Sequence, residues 1–212
     1  MADPDPKALD PDYDHHGGFP EYAPVTPGPG FGRFVATMRR LQDLAVSADP
    51  ADDVWDDAAD RVAALAELLE PYEAAEGVAP AGRAPELPGM GSLLIPPWTL
   101  TRYAPDGVEM TGHFSRFHVG GNMAVHGGIL PLLFDHTFGM IAHAAGRPIS
   151  RTAFLHVDYR KITPIDVPLL VRGRVTSAQG RKAFVSAELV DGDNDVLAEG
   201  TGLMVRLLPG QP

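Results

Sequence analysis

One long apolar segment, residues 127–146, most constrains the fold, because it has helical spacing while the chain around it alternates every second residue. We place strands near 97–105 and 108–118 before it, and near 151–162, 167–178, 182–190 and 195–207 after it. One helix cannot cover both faces of a six-stranded antiparallel sheet. The pattern therefore predicts an α+β fold in which the helix covers one face and an edge or a bare end is left for self-association.

The composition changes along the chain and predicts four regions. Residues 1–30 are rich in proline and acidic residues and are expected to be a disordered tail. Residues 31–76 carry two amphipathic stripes, broken at Asp49-Pro50, which predict a helical hairpin. Residues 77–94 are rich in Pro, Gly and Ala and are interpreted as a linker. The domain with alternating strands then covers 95–208.

The start of the long helix reads His126-Gly127-Gly128, with Asp135 seven residues after Gly128. The first N–H groups of a helix lack intrahelical partners and lie at the positive end of its dipole, so they can hold a developing oxyanion. Two glycines leave room for a carbonyl to approach the backbone. Asp135 lies two turns on, within an apolar run where a buried, unpaired carboxylate would be costly, so a functional role explains it better than a structural one.

The same spacing separates the two groups. At ~1.5 Å rise per residue, Asp135 lies about 10 Å along the axis from Gly128, too far for both to contact one reacting carbon comfortably. Two helices that meet antiparallel across a two-fold axis would bring the glycine end of one to the carboxylate of the other. We therefore expect a homodimer, or a dimer of dimers, with sites at the subunit interface.

Composition excludes several classes of function. The chain has no cysteine, which rules out disulfides and thiol chemistry. No basic leader and no apolar run of membrane-spanning length is present, so we expect a cytoplasmic protein without a membrane partner. The net charge is −12 over residues 1–99 and +1 over 100–212. No continuous basic stripe occurs, which argues against nucleic acid, but basic residues concentrated within 147–182 suit a phosphorylated ligand.

Two motifs together resemble a known family. The first is His126-Gly127-Gly128 followed by Asp135, and the second is the segment 152–161, TAFLHVDYRK, ending at Thr163-Pro164. Over residues 95–208 this arrangement resembles the hotdog-fold acyl-CoA thioesterases of the phenylacetyl-CoA thioesterase type. The resemblance implies an antiparallel sheet wrapped around one long helix, with the N-terminal helices as an extension, and hydrolysis of an acyl-CoA to free acid and coenzyme A.

The resemblance also implies roles for individual residues. Gly128 N–H, with Gly127, would polarise the thioester carbonyl, and Asp135 would act as general base or nucleophile. Thr152 would position Asp135 or the water, and His126 would shape the glycine turn. The asparagine that the family places ahead of the histidine has its nearest counterpart in Asn122, because Gly120 stands at the usual position.

The remaining expectations concern the substrate. Phe138 suits an apolar acyl group, and three basic residues near Thr152 are the candidates for coenzyme A phosphates: Arg151, Arg160 and Lys161. His156 is expected on the same strand face as Thr152, as an ordinary sheet residue. No metal site and no cofactor are expected, since coenzyme A is part of the substrate. The alternatives are a hotdog dehydratase or hydratase acting on acyl thioesters, and a non-catalytic acyl-CoA-binding or assembly protein.

Overall fold

A computed structural model describes residues 23–208 of the chain. Its helices are α1 (Pro29–Ala45), α2 (Asp52–Leu69) and α3 (Ile129–Ala144). Its strands are β1 (Thr99–Ala104), β2 (Gly107–Gly112), β3 (Val119–Gly121), β4 (Ala124–Val125), β5 (Ser150–Tyr159), β6 (Leu169–Gln179), β7 (Lys182–Val190) and β8 (Val196–Arg206). Most of the tail expected over 1–30 lies outside the described residues.

Six strands form one antiparallel sheet in the order β1-β2-β6-β7-β8-β5, and β3 and β4 form a separate small ribbon. α3 packs across one face of the large sheet, touching five of its strands. This is the α+β arrangement that the sequence pattern predicts, and it is the hotdog fold that the resemblance implies. The helix lies close to the sheet because β8 has glycine on that side: an added Cβ would lie 2.8 Å from Phe134 at Gly200 and 2.6 Å from Phe138 at Gly202.

The predicted strand near 108–118 is the one that differs most from the structure. The segment expected to extend over 108–118 leaves the sheet after Gly112. Ser115 then starts a 3₁₀ turn over Arg116–His118, in which Ser115 N donates to His118 Nδ1 at 3.0 Å. This local hydrogen bond competes with strand pairing and ends it. The turn leads into β3 and brings the chain back to the start of α3.

The two N-terminal helices differ in how they are held. Pro29 opens α1, Val35 is buried, and Arg39 Nη2 donates to the carbonyls of Ser92 at 2.6 Å and Ile95 at 3.0 Å. α2 has no buried side chain, and large apolar residues on it are exposed, among them Trp55 and Leu68. α1 is thus anchored to the segment that precedes β1, whereas the apolar stripe of α2 remains uncovered.

Candidate active site at the start of the central helix

Three hydrogen bonds build the glycine turn at the start of α3. His126 N donates to His118 O at 2.8 Å, and Ile129 N donates to His126 O at 2.9 Å. Gly128 N donates to His126 Nδ1 at 3.0 Å. His126 therefore occupies the position expected of a residue that shapes this turn. Its ring also accepts from the N–H that the sequence suggests as an oxyanion donor, so this N–H already has an acceptor in the single chain.

The backbone at these glycines does not itself require glycine. Gly128 has φ −69° and ψ −15°, and Gly127 is not among the residues with positive φ. A Cβ at Gly127 would have nothing closer than 3.7 Å, and one at Gly128 would lie 3.2 Å from His126 Nδ1. Both glycines are exposed. The two glycines therefore matter because they leave free space beside this peptide, not because the backbone requires them.

An open pocket of about 480 Å³ adjoins the turn. Its wall includes Gly127, Leu130, Tyr159, Arg160 and Lys161. The Tyr159 hydroxyl donates to Gly127 O at 2.8 Å, across the end of β5. Tyr159 is not among the site residues expected from the sequence. Its position in the sequence could have indicated a site residue, because Tyr159 is the last helix-facing residue of β5 and directly precedes Arg160 and Lys161.

Asp135 is exposed, which corrects the expectation that this carboxylate is buried in an apolar run. Phe134 and Phe138 on the same helix are fully buried against the sheet. Asp135 follows Phe134 by about 100° around the helix and lies with Gly139 on an exposed flank. The neighbouring His136 is partly buried, and this burial lowers the pKa of its imidazole, with the charge of Asp135 acting in the opposite direction. Asp135 therefore has a largely neutral histidine beside it near pH 7.

A β-bulge decides where Thr152 points. The pairing of β5 with β8 shifts between Thr152 and Phe154, so that Thr152 pairs with Met204 while Phe154 pairs with Leu203. Met204 is buried on the helix side, and Thr152 Oγ1 lies 3.4 Å from its sulfur. Thr152 thus shares the helix side with Leu155 and Val157. His156 pairs with Thr201 on the outer face, so the expectation that it shares a face with Thr152 is wrong.

Two other residues lie apart from the glycine turn. Phe138 is fully buried in the core, where it contacts Gly202 of β8, so in the single chain it does not line the open pocket. Asn122 is exposed in the β3–β4 turn with φ +49°. Asn122 precedes His126 by four residues, and its ribbon leads into the glycine turn.

The three candidate basic residues form two groups. Arg160 Nε donates to Glu199 at 2.5 Å and Lys161 Nζ donates to Asp195 at 2.6 Å, and these hydrogen bonds raise the pKa of each base. Both residues are exposed and line the pocket beside Gly127. Arg151 lies at the other end of β5, roughly 30 Å away at about 3.3 Å per residue, next to Thr152. One pocket in one chain cannot gather all three.

Two features are absent from residues 23–208. Nowhere in this range do three or more His, Asp or Glu side chains come together as a potential metal site. No helix in the same range combines the length and apolar character needed to cross a membrane.

Residues 122–198 match the family model described as the thioesterase superfamily. The chain is 36% identical to the acyl-coenzyme A thioesterase THEM4 of Rattus norvegicus over 89 residues, which are 42% of this chain and 38% of that protein. It is 33% identical to THEM4 of Xenopus laevis over 86 residues, again 38% of that protein. The chain thus matches well under half the length of these curated relatives. The family model spans both sequence motifs, His126-Gly127-Gly128 with Asp135 and the segment 152–161.

Solved structures give a longer likeness. A crystal structure of a thioesterase superfamily protein superposes with a TM-score of 0.73 and 26% identity, covering 85% of this chain and 97% of that one. The domain over 95–208 makes up only about half of the sequence, so this likeness extends into the N-terminal region. A Streptococcus mutans protein bound to acetyl CoA shares the fold, with a TM-score of 0.50 and 18% identity over 52% of this chain and 88% of that one.

Proposed function

We propose that this chain, whose residues 122–198 match the thioesterase superfamily model, hydrolyses acyl-CoA thioesters to the free acid and coenzyme A. The observation that carries the proposal is the start of α3. An accessible Gly127–Gly128 peptide there borders an open pocket, and the same helix carries a solvent-facing Asp135 two turns later. The relatives named as acyl-coenzyme A thioesterases share 89 matched residues with this chain at 36% identity, which supports the same substrate class.

The chemistry requires few groups because a thioester carbonyl is electrophilic and a thiolate leaves readily. The oxygen of the substrate carbonyl would replace His126 Nδ1 as the acceptor of Gly128 N–H and take up negative charge as water or Asp135 attacks the carbon. Asp135 serves as general base or as nucleophile. Thr152, which the bulge directs to the helix side, positions the water or the carboxylate.

The complete site would form between two copies of the chain. Gly128 and Asp135 are about 10 Å apart along the axis of one helix, so one chain does not present both to a single carbon comfortably. A two-fold dimer with antiparallel helices would place Asp135 of each copy against the glycine turn of the other. The exposure of Asp135 in the single chain supports this assembly, because a partner's substrate site can then reach it.

Coenzyme A would lie along the pocket beside Gly127, with its phosphates near Arg160 and Lys161. Exposed ion pairs such as those with Glu199 and Asp195 contribute little stability, so phosphate oxygens can compete for both bases at small cost. The Streptococcus mutans protein that shares this fold was solved with acetyl CoA, which supports the ligand class. No cofactor is required. The proposal includes a cytoplasmic location, where acyl-CoA substrates are available.

The test is a panel of short, medium, long and aryl acyl-CoAs, with release of free coenzyme A followed by a thiol-reactive dye. The wild-type chain should turn over at least one class. Asp135→Asn should lower kcat by at least about 10², and Thr152→Ala should cost less because water can replace a positioning hydroxyl. Turnover that is absent for every class, together with hydration of 2-enoyl-CoAs or binding alone, would replace hydrolysis by one of the alternative functions.

A further inference from the structure

The Gly127–Gly128 peptide combines two requirements that oppose each other. Its N–H must be accessible to a substrate oxygen, and glycine on both sides gives that access. Glycine also lacks the Cβ that restricts backbone rotation, so a Gly-Gly peptide is unusually free to turn about its long axis. Rotation of the peptide would turn its N–H away from the substrate oxygen. The hydrogen bond would then weaken steeply, because it depends on the angle at the hydrogen.

Two side chains hold this one peptide from opposite ends. Gly128 N donates to His126 Nδ1 at 3.0 Å, and the Tyr159 hydroxyl donates to Gly127 O at 2.8 Å. The N–H and the C=O belong to the same planar group, so each bond fixes the direction of the other. The bond to His126 lies on the side where the substrate oxygen must bind and is lost when it does. The bond from Tyr159 lies on the far side and remains.

We propose that Tyr159 is a positioning residue that fixes the orientation of the Gly127–Gly128 peptide for the thioester carbonyl. This inference rests on the proposed function. The Tyr159 hydroxyl oxygen would lie 3.7 Å, and the nearest ring carbons 3.8 and 3.9 Å, from a Cβ on Gly127, so the hydroxyl reaches the carbonyl without filling the space that the glycines leave. Donation to Gly127 O also polarises the peptide, which strengthens its N–H as a donor to an oxyanion.

The decisive variant is Tyr159→Phe, which keeps the ring and removes only the hydroxyl. The matched control is Tyr103→Phe: Tyr103 is also a partly exposed strand tyrosine, and its hydroxyl bonds to His143, away from the glycine turn. A hydrogen bond that contributes ~0.5–1.5 kcal/mol corresponds to a two- to tenfold effect. Tyr159→Phe should therefore lower kcat about three- to tenfold with KM within twofold, whereas Tyr103→Phe should retain wild-type kcat.

A second readout does not depend on turnover. In ¹⁵N–¹H spectra of the intact protein, Tyr159→Phe should shift the Gly128 amide and speed its hydrogen exchange, while the mid-helix Gly139 amide stays unchanged. A kcat within twofold of wild type, or an unmoved Gly128 amide, would overturn the inference. A wild-type chain inactive on every acyl-CoA would instead refute the proposed function, and the Gly128 amide would still decide whether Tyr159 holds this peptide.

Discussion

Replacing Gly128 with alanine separates a structural need for glycine from a functional one. At φ −69° and ψ −15° an alanine fits the backbone without strain. Such a change stabilises the folded protein by ~0.4–1 kcal/mol, because alanine lowers the conformational entropy of the unfolded chain. Its Cβ would lie 3.2 Å from His126 Nδ1, a tight contact that offsets part of this gain. The net change in unfolding free energy should stay within about 1 kcal/mol, or about 4 °C in Tm for a chain of this size.

Activity should respond far more than stability. His126 Nδ1 marks the position of the acceptor for Gly128 N–H, at 3.0 Å from the nitrogen. A substrate oxygen at that position would meet the new methyl at the same 3.2 Å, and the carbon and sulfur attached to it would be crowded further. Loss of a complete oxyanion donor costs about 10²–10³ in kcat. Gly128→Ala should therefore lower kcat/KM between about tenfold and this limit.

The control is Gly30→Ala, the same substitution in the first turn of α1, where a Cβ would have nothing within 4 Å. Initial rates from the thiol-release assay and Tm from thermal unfolding should be measured for all three proteins. Wild-type kcat/KM in Gly128→Ala would show that the thioester carbonyl does not approach this peptide. A Tm loss beyond about 10 °C would show instead that the glycine is required for folding.

Three further predictions address assembly, ligand charge and acid sensitivity. Heterodimers that combine Asp135→Asn with Gly128→Val chains should recover activity, because one of their two sites receives both intact parts; no recovery in verified heterodimers would place each site within one chain. Replacing Arg160 and Lys161 with glutamine should raise KM with little change in kcat, and added salt should weaken wild-type binding; a KM indifferent to both would place the phosphates elsewhere. Burial lowers the pKa of His118, so the unfolded state takes up its proton first and stability should fall as pH drops below about 6.5. His118→Gln should show a smaller loss of Tm between pH 7.5 and 5.5 than wild type, and an equal loss would assign the acid sensitivity to other groups.

The sequence predicts the elements of the large sheet because alternation and turn chemistry are local. The turn between β7 and β8 is an example: Asp191 Oδ1 accepts from Asp193 N at 3.0 Å and from Asp195 N at 2.9 Å, and Asn194 has φ +64°. These residues favour such a turn wherever they occur. The ends of β7 and β8 accordingly lie within one residue of their predicted positions.

The sequence does not predict which face of α3 packs against the sheet. The helix is apolar nearly all round, with Leu132 and Met140 on flanks that are only partly buried. Periodicity therefore does not identify which face meets the sheet, and the burial expected for Asp135 does not follow from its apolar neighbours. The glycines of β8 that admit Phe134 and Phe138 decide the orientation, and they lie more than 60 residues away in sequence.

The bulge in β5 has no clear sequence signal. Strict alternation from His156 back through Phe154 would put Thr152 on the outer face. The extra residue at Ala153 reverses this, and Thr152 faces the helix. Bulges re-aim side chains beside functional sites, and here the bulge brings a hydroxyl to the side of the sheet that carries Asp135. The contact of Tyr159 with Gly127 could not be predicted from the sequence either, because it depends on how the end of β5 packs against the start of α3.

Two exposed features of the single chain support one assembly. Within residues 23–208, β5 pairs with β8 along one edge and has no strand on the other, leaving a ten-residue edge that carries exposed Phe154 and Tyr159. A long open edge of this kind invites pairing with another chain. If β5 pairs with β5 of a second copy across a two-fold axis, the two α3 helices lie side by side with opposite direction. The same contact then covers the exposed face of α3 that carries Asp135. Asp135 and Gly128 lie about 10 Å apart along one helix, so antiparallel helices would place Asp135 of each copy beside Gly128 of the other.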